Sequence, residues 1–183
     1  RVAPKLAANG KLTSALLASL PFSLTAAQVR TWGEIAADLI EPHPMQRLLQ
    51  GDVGSGKTIV AALAMLQAVE AGYQAALMAP TEILAEQHYR KLRLWLEPLG
   101  LKVAWLTGSL KAKEKRAVIS SVGAGDTVLV VGTHALIESN VGFARLGLAI
   151  VDEQHRFGVR QRLALKDKGQ FAHQLTMSAT PIP

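Results

Sequence analysis

The sequence of 183 residues contains no cysteine. That excludes a disulfide framework and any thiolate nucleophile, redox pair or thiolate metal site. Aromatic residues are scarce, at 5%, and Trp32, Trp95 and Trp105 are expected to be packing residues and not base-stacking platforms. Long apolar runs are missing too. The longest charge-poor stretch, Leu12 to Val29, is broken by Pro21 and carries Thr13, Ser14, Ser19, Ser23, Thr25 and Gln28. It is neither a membrane span nor a signal peptide. Acidic residues number 14 against 20 basic ones, a balance of +6 with a pI near 9.8. This fits an anionic partner such as nucleic acid but is too modest to identify one. No internal repeat or low-complexity tract is present. What remains, 49% hydrophobic and 19% charged, supports one cored domain of ordinary size.

The chain starts at Arg1 and stops at Pro183 inside the ordered-looking run Leu175-Thr-Met-Ser-Ala-Thr-Pro-Ile-Pro183. The expectation is a piece of a longer protein. Residues 1–23, rich in Ala, Leu and Ser and punctuated by Pro4, Asn9-Gly10 and Pro21, read as a linker or connecting helix outside the main core. The domain proper is expected over residues 24–183. Within it Thr25 to Ile40 has helical spacing and ends before Pro42. Short apolar runs then alternate with amphipathic ones. Strands are predicted at Met45 to Gln50, Gln74 to Ala79, Leu101 to Thr107, Thr127 to Val131, Leu146 to Val151 and Gln174 to Ser178. Helices are predicted at Thr58 to Glu70, Ile83 to Leu96, Lys111 to Val122 and Val159 to Lys168. That alternation predicts an α/β fold, a mainly parallel sheet with helices on both faces. In such sheets ligands bind beyond the carboxyl ends of the strands.

The loop after the first predicted strand reads Gly51-Asp-Val-Gly54-Ser55-Gly56-Lys57-Thr58 and runs straight into a helix. It fits the phosphate-loop pattern in its required strand–turn–helix context. Glycines let the backbone approach closely, so successive N–H groups can point at phosphate oxygens, and the helix start adds its positive dipole end. Lys57 can reach the β and γ phosphates of ATP, and the Thr58 hydroxyl can ligate Mg²⁺. The matching acids are Asp152 and Glu153, at the end of the strand Leu146 to Val151. Asp152 is placed to hold Mg²⁺ through water and Glu153 to orient and deprotonate an attacking water.

At Asp152-Glu-Gln-His155 and Ser178-Ala179-Thr180 the sequence resembles superfamily 2 helicases. The resemblance implies a RecA-like P-loop NTPase in which the first element is the ATPase box and the second couples it to nucleic acid, with His155 bridging to Ser178 or Thr180. Three further segments follow the family order: Pro80-Thr81-Glu82, Thr107-Gly108-Ser109 and Gly132-Thr133-His134. The resemblance places these loops on the phosphate backbone of one strand, for which hydroxyls and exposed N–H groups are suited. Leu20-Pro21-Phe22-Ser-Leu24-Thr25-Ala-Ala-Gln28 is similar to the family's adenine-recognition element. A Gln amide can pair with both donor and acceptor of adenine and an aromatic can stack on it. The plainer alternatives are a Thr25 N-cap and an exposed Gln28.

Gly51 to Thr58, Ala79-Pro-Thr-Glu-Ile-Leu-Ala-Glu-Gln-His88, Asp152 to Arg162 and Met177 to Pro183 closely resemble the RecG-type fork-reversing DNA helicases. Gln154 and Ser55 favour this type over the related transcription-repair coupling translocases, whose motor domain is the other alternative. The resemblance implies ATP and Mg²⁺ as cofactors, branched or forked DNA as partner, no membrane, and a cytoplasmic setting. It also implies a wedge domain before this motor domain and a second RecA-like domain, with the arginine finger, after it. A small-molecule kinase is the distant rival, and a nucleotide-binding module without turnover is the alternative for the chain alone. The basic stretches, residues 111–116 and 156–168, read first as solvated helix faces. Arg156, Arg160 and Arg162, just after the ATPase box, are also candidates for relaying nucleotide state or touching DNA. His43, His88 and His173 have no metal-ligand spacing to one another.

Overall fold

A computed structural model describes residues 2–50, 56–152, 159–169 and 171–178, with residues 159–162 described by their backbone only. Helices α1 (Lys11–Ser19) and α2 (Ala26–Ile40) precede β1 (Gln46–Gln50). Strand and helix then alternate: α3 (Gly56–Glu70), β2 (Gln74–Met78), α4 (Glu82–Leu96), β3 (Val103–Leu106), α5 (Ala112–Ala124) and β4 (Leu129–Gly132). The last three are β5 (Leu146–Asp152), α6 (Val159–Lys166) and β6 (His173–Ser178). Every predicted strand and helix is present, with ends shifted by a residue or two.

The six strands form one sheet in the order β1-β6-β5-β2-β4-β3, and every pairing is parallel. Period-two alternation divides the strand residues between two cores. Ala75, Leu77, Leu129, Val131, Leu148, Ile150, Leu175 and Met177 face one, with α1 to α4 packed over them. Ala76, Met78, Val130, Ala149, Val151, Ala104 and Leu106 face the other, under α5 and α6. Two apolar faces explain why these strands read as continuous hydrophobic runs. The sheet leaves little room between β3 and β4: a Cβ at Gly132 would sit 2.0 Å from the Leu106 carbonyl oxygen. Only glycine fits there.

Helix α3 is buried on every side, from Lys57 to Ala68. A helix this apolar all round must be covered on all faces. It packs on β2 and β5 and is overlaid by α1, α2 and α4. On its buried surface Gln67 donates from Nε2 to the carbonyls of Leu6 (2.8 Å) and Ala36 (3.1 Å).

The N-terminal segment departs from expectation. Leu6 and Leu16 are fully buried within the same core as α3, so the part of the chain read as lying outside the core is part of it. The cause is visible in its backbone. Ala3 N–H donates to the Pro42 carbonyl (2.6 Å) and Leu6 N–H to the Leu39 carbonyl (2.8 Å). His173 completes the attachment: Nδ1 accepts from Met45 N–H (2.9 Å) and Nε2 donates to the Pro4 carbonyl (2.7 Å). Among the described residues no helix is long and apolar enough to cross a membrane.

Two outcomes test this attachment. Leu6→Ala removes a fully buried side chain and is expected to cost about 2–5 kcal/mol in chemical denaturation. Burial holds His173 below its ordinary value of 6.5, against a smaller opposing pull from the Pro4 carbonyl and Asp38. A depressed histidine contributes stability that is complete above the unfolded value and is lost as pH falls below it, because the unfolded chain binds the proton first. Unfolding midpoints therefore drop below pH 6.5 in the native chain, and His173→Gln flattens that slope.

Candidate nucleotide and nucleic-acid site

The order of the strands sorts the sequence motifs into two groups. Strands β1, β6 and β5 are adjacent, and their carboxyl ends lead to the phosphate loop, to Ser178 and to Asp152. Register puts Ser178 opposite Gln50 and Met177 opposite Asp152. Strands β2, β4 and β3 form the other half, and their ends lead to Pro80-Thr81, Gly132-Thr133 and Thr107-Gly108. All of these ends lie on one rim because every strand is parallel.

On the first half, α3 delivers Lys57 and Thr58 into the interior, 8% and 2% exposed. Burial lowers the Lys57 pKa, and the nearby Asp152 carboxylate partly counters this. Asp152 is itself buried, and its Oδ1 has no hydrogen-bond partner among the described residues. Its other oxygen, Oδ2, lies 2.6 Å from Nε2 of His88, whose Nδ1 lies 3.2 Å from the Thr58 hydroxyl. The side chains of His88 and Asp152 are 11% and 5% exposed. A buried carboxylate oxygen without a partner is costly unless a cation or its water shell occupies the space beside it. Asp152 Oδ1 and the Thr58 hydroxyl therefore fit a divalent ion. Among the described residues no group of three or more His, Asp or Glu could hold a metal alone.

His88 was missed in the sequence because a search for metal-ligand spacing gives it no partner. A better signal was its helix face. Ala85 and Leu92 are buried on α4, and His88 lies three residues after one and four before the other. A polar side chain on that stripe must find a hydrogen-bond partner inside.

The segment expected to recognise adenine is built around a capping box at the start of α2. Gln28 N–H donates to Thr25 Oγ1 (3.1 Å), and Thr25 N–H donates to Gln28 Oε1 (2.9 Å). Thr25 is thus the N-cap. Gln28 Nε2 donates to the Gly56 carbonyl (3.2 Å), which brings this side chain to the start of α3. Phe22 is exposed. Gly51, Gly54, Ser55, Glu153, His155, Arg156, Ala179 and Thr180 lie outside the described residues, as does the side chain of Arg160.

On the second half the three threonines differ from expectation in what they offer. Thr107 is fully buried, so the solvent face of its loop belongs to Gly108 and Ser109. Its hydroxyl lies 3.3 Å from that of Ser109. Thr133 is buried, with its N–H on the Leu106 carbonyl (3.3 Å), and Gly132 is buried beside it. His134, the next residue, is exposed. Thr81 accepts from Leu84 N–H (3.2 Å) as the N-cap of α4, with Pro80 half-buried before it. The strands' closeness and the helix cap thus engage threonine atoms expected to face a phosphate backbone. Ser109 also donates to Glu82, and this bond holds the Glu82 carboxyl below its usual value. The two loops are tied together.

The basic stretches divide as well. Lys111, Lys113 and Arg116 are exposed on α5, a solvated face. Lys168 instead donates to the carbonyls of Glu138 (2.6 Å) and Val141 (2.7 Å), a structural tie between the end of α6 and the segment after β4.

A family model described as DEAD/DEAH box helicase matches residues 25–183. The ATP-dependent DNA helicase RecG of Acidithiobacillus ferridurans is 56% identical, over 99% of this chain and 26% of that protein. RecG of Streptococcus pneumoniae is 60% identical, over 93% of this chain and 25% of its own length. The solved structure of RecG bound to a three-way DNA junction matches with a TM-score of 0.88 at 49% identity, covering 100% of this chain and 24% of that one. Yeast (S. cerevisiae) Dbp5 bound to RNA and ADP BeF3 matches at 0.70 with 18% identity, over 97% of this chain and 46% of that one, a likeness of fold. The chain spans about a quarter of the length of the RecG relatives it matches.

The buried ammonium yields a stability test without ligand. Lys57→Met replaces a charge whose burial outweighs its attraction to Asp152, so the ligand-free variant should melt higher than the native chain at pH 7. A depressed lysine destabilises the fold below its shifted pKa and stops doing so as pH rises through it toward the ordinary 10.5. The gap between the two melting temperatures therefore narrows as pH rises toward 10.5.

Proposed function

Because the chain belongs to the DEAD/DEAH box helicase family, we propose that it is the ATP-binding motor domain of a RecG-type DNA helicase that remodels branched DNA such as stalled forks and Holliday junctions. The observation that carries this reading is the sheet order, which gathers the nucleotide motifs on β1, β6 and β5 and the loops suited to a phosphate backbone on β2, β4 and β3. RecG relatives at more than half identity support the choice of DNA.

In this reading Gly51 to Thr58 surrounds the phosphates of ATP, and the buried Lys57 ammonium neutralises their charge where water is excluded. Gln28 and Phe22 receive the adenine. Mg²⁺, held by Thr58 and Asp152, would supply charge neutralisation of the γ-phosphate. Glu153 orients and deprotonates the attacking water. Gly108, Ser109, His134 and the N-terminus of α4 at Thr81 meet the DNA backbone, with Arg156 and Arg160 as further contacts. Ser178 to Thr180 and His155 link the two halves. Motion along DNA needs a second motor domain that closes over the nucleotide, a two-state arrangement biased by the γ-phosphate. A wedge domain engages the branch. DNA in a bacterial relative is cytoplasmic, and so is the proposed activity.

Two measurements test this. In the complete helicase Glu153→Gln should retain ATP binding while DNA-stimulated hydrolysis falls by about 100-fold or more; loss of binding instead would contradict the role assigned. The 183-residue chain alone should bind nucleotide with little turnover. Robust hydrolysis stimulated by forked DNA in that chain would show that no second motor domain is required.

A further inference from the structure

Three features meet at the rim of β5. Asp152 uses Oδ2 for His88 and keeps Oδ1 without a partner among the described residues. The same imidazole reaches Thr58 through its other nitrogen. Asp152 and Thr58 are also the two side chains that fit a divalent ion. We propose that His88 is the positioning residue of the metal site, holding Asp152 and Thr58 by the atoms the ion does not take. This rests on the ATP·Mg²⁺ reading of the site.

The hydrogen-bond chemistry is directional. An ionised carboxylate only accepts, so Nε2 of His88 carries the hydrogen and donates to Asp152 Oδ2. In the neutral ring Nδ1 is then an acceptor, and the Thr58 hydroxyl donates its proton to it. That orientation turns the lone pairs of the Thr58 oxygen away from His88. Asp152 is prevented from rotating by its short bond, leaving Oδ1 as its free donor atom. Both remaining donors are fixed before any ion arrives, and their orientation is not lost entropy on binding. Without His88 the Asp152 carboxylate has a nearby competitor, the Lys57 ammonium, which attracts it electrostatically.

His88 also comes from the other half of the sheet. It lies seven residues after Thr81 on α4, about 10 Å along the helix axis. Helix α4 begins at a loop of the proposed DNA side, so one rigid element touches both sites.

The test separates metal affinity from nucleotide affinity. Fluorescent ADP is titrated into the chain in EDTA, and Mg²⁺ is then titrated into the ADP complex. For His88→Ala the Mg²⁺ midpoint should rise about 10- to 100-fold while ADP affinity in EDTA stays within about twofold, the signature of an outer-sphere ligand. His88→Gln, whose amide can still donate to Asp152, should recover part of the loss. In the unsubstituted chain, Mn²⁺ added with ADP should broaden the ¹⁵N and ¹H resonances of the His88 ring beyond those of His43 and His134. An unchanged Mg²⁺ midpoint, an equal loss in EDTA, or no selective broadening would overturn the assignment; the broadening decides if the alanine variant does not fold. Absence of ADP binding in the native chain, with and without Mg²⁺, would instead refute the nucleotide reading and the assignment with it.

Discussion

The burial of α3 is the constraint from which the rest of the structure follows. A helix with apolar residues on every side has to be covered on every side, and a single sheet face covers only part of it. The remainder is closed by α1, α2, α4 and the segment around Leu6. Gln67 fixes that cover by satisfying the Leu6 and Ala36 carbonyls from inside the helix. The same burial carries Lys57 and Thr58 out of water at the start of the helix. Desolvation then works in both directions. It makes the empty site less comfortable for an ammonium, and it strengthens the attraction of that ammonium for an anion once one is bound.

A second consequence concerns communication. The strand that ends in Asp152 is the neighbour of β2, and β2 leads into α4. Helix α4 is consequently a rigid element that reaches both halves of the rim. It is capped by Thr81 at one site and presents His88 to the other. The tie between Ser109 and Glu82 adds the loop after β3 to that path. Under the proposed function, a shift of α4 on DNA would move a hydrogen-bond partner of Asp152, and closing of the proposed metal site would restrain α4. Two sites that bias one element are coupled reciprocally.

Much of this was readable in the chain. Strand and helix positions follow from local periodicity, and the strand–turn–helix setting of Gly51 to Thr58 marks it as a candidate phosphate loop. Asp152 was recognisable as the acid at the end of a buried strand. Other features were hidden for specific reasons. Residues 1–23 look like a linker because they are rich in Ala, Leu and Ser and punctuated by Pro4, Asn9-Gly10 and Pro21, yet Leu6 and Leu16 each fill a place over α3. Thr107 and Thr133 look like ligand-facing residues because each follows a strand end on the rim; here both side chains are buried, a fact that depends on packing and not on local sequence. His88 shows no spacing to any partner because its partners are 30 and 64 positions away.

By itself the sequence determined the elements, their alternation, and the chemistry that follows each strand, since these depend on residues a few positions apart. Only the tertiary structure decided which strands are neighbours. All six are apolar on the faces they bury, so the pattern of any one is compatible with several partners, and the choice depends on how the covering helices pack. The order β1-β6-β5-β2-β4-β3 converts motifs interleaved along the chain into two separate sites. It also places His88 of α4 beside Asp152 of β5, a contact that exists only because β2 and β5 lie side by side.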